Sequence, residues 1–146
     1  MTSKNLNFNK IVDALLDDDA EFPIKYMLSL SDISMPNLEI LRRSWNQISP
    51  ARKVALMENI EIIHEAEYTS NFEDIATLAL DDVNATVRAS GVRLFSDYEN
   101  CQHINKFVEM LEHDPDIGVR SQTAITLGKY MYLAEVDKID AKYRDL

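Results

Sequence analysis

Four bases bracket one short stretch of the chain, Arg42-Arg43 and Arg52-Lys53. Clustered guanidinium and ammonium groups can grip a phosphate or an acidic segment of a partner. They form the only dense basic group in a sequence with 25 acids against 15 bases and a formal net charge of -10. Together with Arg93 they are the candidate partner-contact residues, and Glu39 is the neighbour that can neutralise part of their charge. Cys101-Gln102-His103 sets a thiol beside an imidazole. A metal site wants three or four ligands at matched spacing, and neither CxxC nor HxxxH is present. Asp17-Asp18-Asp19 with Glu21 gathers carboxylates but lacks the alternating ligand loop, glycine and distal Glu of a calcium site. No two of the three glycines lie close enough to cradle a phosphate. These residues imply no catalytic, metal-binding or cofactor-binding set, so the expectation is a protein that is not an enzyme and carries no cofactor.

The elements that must position these groups read as helices. Phe8, Ile11, Val12, Leu15 and Leu16 recur at helical spacing, and the acid run at 17–19 opposes the helix dipole and ends that helix. Pro23 opens a short segment with Ile24, Met27, Leu28 and Leu30, followed by a turn at 31–34. Ser34 before Met35-Pro36, and Ser49 before Pro50, read as N-caps with proline in the first turn. Leu38, Leu41, Trp45 and Ile48 make one apolar face, and Val54, Met57, Ile60 and Ile63 the next. Asn71 precedes Phe72, Ile75, Ala76 and Ala79, and Asn84 precedes Val87, Val92 and Phe95. Ile104, Phe107, Val108 and Leu111 lie on a fifth face, and Val119, Ala124, Leu127 and Met131 on a sixth. Alternating sequence suited to a half-buried strand is absent, so the fold class is all-α.

The helices repeat. At an offset of 32, Asp82 falls on Asp114, Val87 on Val119, Arg88 on Arg120 and Tyr98 on Tyr130. Phe95 meets Leu127, Val92 meets Ala124, and Ser96 meets Gly128. A weaker copy at an offset of 35 sets Ser49 beside Asn84 and Lys53 beside Arg88. Each copy reads as an N-cap, a base four residues later, then apolar groups. A lone helical hairpin cannot bury both of its helices, whereas stacked hairpins share a continuous core.

The runs Asp82-Val83-Asn84-Ala85-Thr86-Val87-Arg88 and Asp114-Pro115-Asp116-Ile117-Gly118-Val119-Arg120, with Leu127-Gly128 closing the second, resemble the HEAT repeat. The likeness is to the short bacterial variety related to the phycobilisome-lyase repeats. It implies a right-handed α-α superhelix, an armadillo-like solenoid of about three hairpins, 34–68, 71–98 and 101–134. Residues 1–33 would be N-terminal capping helices and 135–146 a C-terminal tail or helix end, in a single domain. It further implies that Asp82, Arg88, Asp114 and Arg120 form a structural ladder between neighbouring repeats. The period is shorter than the ~40–47 residues of typical units. The first copy carries Gln47 and Lys53 in place of Asp and Arg.

The expected function is a non-catalytic scaffold that binds a protein or peptide on its concave surface. Groove positions on the second helices are Val54, Glu58 and Ile62, then Ala89, Arg93 and Asp97, then Ser121, Ile125 and Lys129. One alternative is an enzyme or enzyme accessory of the chromophore-lyase-like type, with a pocket near Tyr98, Cys101 and His103. Another is nucleic-acid binding, which needs Arg42, Arg43, Arg52, Lys53, Arg88 and Arg93 on one groove. A net acidic chain without a continuous basic stripe disfavours it, as it disfavours anionic membranes. The single Cys101, the absence of a signal-peptide pattern and the lack of a long apolar run give a cytoplasmic expectation with no membrane span. The array's open ends allow a monomer or weak homo-oligomer.

Overall fold

The computed structural model of the chain describes residues 2–67 and 69–136. Tyr68 and residues 137–146 of the tail expected at 135–146 lie outside the described residues. Every regular element among the described residues is helical, and no strand is found there. The chain divides into two compact units, Met1–Leu78 and Ala79–Leu146.

In the first unit, α1 (Thr2–Leu16) buries Phe8, Ile11, Val12 and Leu15 and ends where the acid run begins. A 3-10 helix follows at Ile24–Leu30 and buries Met27 and Leu30. The turn after it places Asp32 at φ 48, a left-handed conformation that aspartate tolerates better than most residues. Its amide donates to the Asn71 carbonyl at 2.8 Å, and the Asn71 amide donates to Ser31 Oγ at 2.8 Å. These two bonds tie the turn to a distant part of the same unit. Next come α2 (Met35–Ser44) and α3 (Pro50–Ala66), separated by a short 3-10 turn at Trp45–Gln47.

Both helices start as their caps dictate. Ser34 Oγ accepts from the Asn37 amide and Ser49 Oγ from the Arg52 amide, with proline in each first turn. Leu38, Leu41, Trp45 and Ile48 are buried, and α1 packs on α2. On α3 the buried face is Lys53, Leu56, Met57 and Ile60, while Val54 and Ile63 are only half-buried. In α4 (Glu73–Leu80) the Asn71 side chain accepts from the Glu73 amide at 2.9 Å, and the division between the two units falls within this helix.

The second unit holds α5 (Ala85–Phe95), α6 (Ile104–His113) and α7 (Ile117–Glu135). Asn84 and Asp116 cap α5 and α7 by accepting from the Val87 and Val119 amides. A 3-10 turn at Cys101–His103 leads into α6. Helix α7 packs against both α5 and α6. Their shared core is aromatic: the Phe95 ring lies 5.6 Å from Phe107 and 4.9 Å from His103, and Phe107 stacks on Tyr130 at 6.1 Å. Full burial of each such ring contributes about 1.5–3 kcal/mol.

One face differs from its sequence expectation. On α7 the buried residues are Val119, Thr123, Thr126, Tyr130 and Ala134. Ala124 and Met131 are exposed and Leu127 is half-buried, so the expected core stripe of α7 turns outward beyond Val119. The buried threonines keep their hydroxyls paired: Thr123 donates to its own helix at Val119 O, and Thr126 donates to Val92 O on α5 at 3.2 Å. A buried hydroxyl carries little penalty when it is hydrogen-bonded, and its methyl group packs as an apolar one.

Candidate functional site

The best-defined polar constellation is built on the turns that start α5 and α7. In each turn an aspartate reaches forward two residues: Asp82 Oδ1 accepts from the Asn84 amide at 2.8 Å and Asp114 Oδ1 from the Asp116 amide at 2.9 Å. In each turn the arginine one helical turn after the cap reaches back. Arg88 Nη1 donates to Asp82 O at 3.0 Å and Val83 O at 3.1 Å, and Arg120 Nη1 donates to Asp114 O at 2.6 Å. Two turns of one design therefore lie in one unit.

The second edge of the Arg88 fork makes a bond of a different kind. Its Nε and Nη2 donate to Asp114 Oδ2 and Oδ1, both at 2.9 Å, which is a two-pronged ion pair between successive turns. The side chains are 13% and 6% exposed, so water screens the pair poorly. Burial pushes the Asp114 carboxyl up, but the Arg88 hydrogen bond, the Asp116 amide and the charges of Arg88 and Arg120 outweigh it. Together they hold Asp114 below its ordinary value of 3.8.

The candidate partner-contact bases occupy quite different settings. Arg42 and Arg43 are exposed and both pair with Glu39, at 2.8 and 3.3 Å. Arg52 turns its Nη2 onto the carbonyls of Asp17 and Ala20, where it braces the loop after α1. Ser49 Oγ strengthens that brace by donating to Asp18 Oδ1 at 2.7 Å, so the acid run belongs to a structural loop. Lys53 is 3% exposed, with its ammonium 5.2 Å from the Trp45 ring centroid. The structure therefore brings Arg42 and Arg43 together on α2 but draws Arg52 and Lys53 into internal contacts. Arg93 belongs to the second unit, exposed on α5, where its Nε donates to Gln122 Oε1 at 3.2 Å.

Cys101 and His103 are both half-buried, and the imidazole packs on Phe95 and Phe107. Among the described residues no group of three or more His, Cys, Asp or Glu side chains is placed to hold a metal ion. Among the same residues no helix is long and apolar enough to cross a membrane.

Two surfaces of the second unit stand out. On the outer face of α5 and α7, Arg93, Asp97, Ile125 and Lys129 are exposed, and Lys129 bridges to Asp97 at 2.8 Å. Ile125 is 65% exposed between these polar side chains. The other surface is a groove of about 240 Å³ between α6 and α7, floored by apolar side chains. Its residues lay in the sequence as an apolar stripe, and only the fold shows that this stripe faces out. Comparison of the chain with protein-family models, with curated proteins and with solved structures finds no match.

Proposed function

We propose that the protein is a helical-repeat scaffold of the HEAT-like type, without catalytic activity, that binds a protein or peptide partner on the exposed face of its second helices. The observation that carries this reading is the duplicated construction of α5 and α7. Each has an aspartate-led turn, a side-chain cap and an arginine that closes back on the turn carbonyls. Units that repeat their local design in one register can stack into a right-handed superhelix, and such arrays present extended binding surfaces. On that surface the exposed Ile125 offers an apolar anchor beside Arg93 and the Lys129–Asp97 pair, a composition that suits a partly apolar peptide with polar flanks.

The test uses a photoreactive amino acid at Ile125 and, as control, at Met35, which is 72% exposed on α2. Crosslinking is done in the cells that make the protein. The reading expects one protein recovered at Ile125 and not at Met35. Its purified form should then lose affinity at least about tenfold for the Ile125→Asp variant. Equal recovery at both sites, or unchanged affinity of that variant, overturns the reading.

A further inference from the structure

Among the described residues the ion pair of Arg88 has no counterpart at Arg120. Arg88 uses one edge for its own turn and the other for Asp114 of the following turn. Arg120 makes the first bond only: among the described residues its single hydrogen bond runs from Nη1 to Asp114 O. Among the described residues no second carboxylate is hydrogen-bonded to its other edge.

The same asymmetry runs down the helix. On α5 the stripe after Arg88 is Val92 and Phe95, both 0% exposed beneath α6 and α7. On α7 the matching stripe is Arg120, Ala124, Leu127 and, one turn on, Met131, which faces outward. Ala124, Leu127 and Met131 of that stripe line the 240 Å³ groove, together with Gly128 and with Val108 and Leu111 of α6. Gly128 is a second, independent sign. A Cβ there would meet nothing within 4 Å, so no packing within the described residues uses the missing side chain. Glycine inside a helix weakens it, and close approach of another backbone is a physical use for it.

We infer that the α6–α7 face is the seat for a further helical hairpin, supplied by a partner protein, whose turn presents an aspartate to the free edge of Arg120. The occupant is specified by what the chain itself does one repeat earlier. There α5 offers an arginine edge and an apolar stripe, and the hairpin that fits has an aspartate-led turn and an apolar inner face. The inference does not rest on the outer-face reading, because Ile125 and Lys129 lie outside the groove.

The probe is the chain's own hairpin. A duplicate of residues 96–134 is inserted after Ala134 of the full chain, so that the copied 96–103 connection separates α7 from the copied α6. The expected result is one cooperative unfolding transition with a raised urea midpoint. Oxidation of the original Met131 by dilute peroxide should slow at least about tenfold as the groove closes. Changing Asp114→Asn in the duplicate alone should lower the raised midpoint. That variant leaves the original turns intact, so it stays informative even where Arg120→Ala weakens the parent fold. Independent melting of the inserted hairpin, with Met131 oxidised at its original rate, overturns the proposal. It is also overturned if the natural chain doubles its sedimenting mass with Met131 protected, which makes a second copy the occupant. A third overturning result is faster Met131 oxidation on removal of residues 137–146, which makes those residues the cover. Failure at Ile125 with success here would remove the outer-face reading and leave this one standing.

Discussion

Arg88 of α5 and Asp114 of the turn before α7 face each other edge to edge, with two parallel N–H···O bonds of 2.9 Å across 26 residues of sequence. Parallel bonds of this kind fix direction as well as distance, because the planar guanidinium and carboxylate must be coplanar to form both. The remaining donor of the fork holds the carbonyls of Asp82 and Val83. One side chain thus closes its own turn and fastens the next, which links the starts of two helices that also pack on each other.

The first prediction concerns that fastening. Arg88→Ala leaves Asp114 buried without its partner and two turn carbonyls without their donor. The second unit should lose about 3 kcal/mol. Arg88→Lys keeps the charge but not the fork and should fall between the two. Trp45, the single tryptophan, sits in the first unit, so amide exchange along α5 and α7 is the suitable measurement. A loss under about 0.5 kcal/mol for Arg88→Ala would show that the pair is ornamental.

The second prediction is a pH dependence. Asp114 is held below its ordinary value of 3.8 in the folded chain. Because folding depresses this carboxyl, its contribution is fully present above the unfolded value. It is lost as pH falls from about that value through the lower folded one. Acid unfolding of the second unit should therefore steepen below pH 4, and Asp114→Asn should flatten that limb while lowering stability at pH 7. An unchanged acid limb in the variant would assign the acid sensitivity to other carboxylates.

Helix starts were the most legible part of the molecule. Ser34, Ser49, Asn84 and Asp116 cap where their side chains and the following prolines or apolar residues say they must. A cap is a local event, so local sequence is enough to find it. The spacing from Asp82 to Arg88 and from Asp114 to Arg120 likewise belongs to single turns. What lay hidden depends on neighbours distant in sequence. Helix α7 carries two stripes that could each be buried; on the buried one Thr126 finds the Val92 carbonyl of α5 for its hydroxyl, while Thr123 is satisfied within its own helix. Lys53 reads as a surface base by its type. In the fold its stem is buried and its ammonium lies against the Trp45 ring, a contact set by tertiary placement.

The third prediction separates two tyrosines on α7. Tyr130 is 1% exposed and its hydroxyl donates to Phe95 O at 2.8 Å, which pins α7 to the end of α5. Tyr130→Phe keeps the stacked ring and leaves the Phe95 carbonyl to the Tyr98 amide alone, at 3.1 Å, so it loses one net hydrogen bond and should cost about 1 kcal/mol. Tyr132, two residues on, is 65% exposed, and Tyr132→Phe should stay within about 0.5 kcal/mol. Amide exchange of α7 in the two variants measures the difference, and equal effects would deny the hydroxyl bond its role.

The fourth prediction sets folding against docking at Gly128. This residue lies well inside a helix of 19 residues, and a Cβ built there meets nothing within 4 Å. No positive-φ glycine occurs among the described residues, so alanine fits the existing backbone. Gly128→Ala should therefore stabilise the natural chain by about 0.5–1 kcal/mol through the lower conformational freedom of the unfolded state. The added methyl stands in the groove between α6 and α7, where an incoming helix would have to approach. In the chain lengthened by a duplicate of residues 96–134, the same substitution in the original copy should lower the urea midpoint instead of raising it. The opposite sign in the two backgrounds is the signature, because a purely helical effect would move both midpoints upward by the same amount. Equal upward shifts would show that nothing packs closely over Gly128, and the seat assigned to this face would then have no use for the one residue that most visibly weakens the helix beneath it.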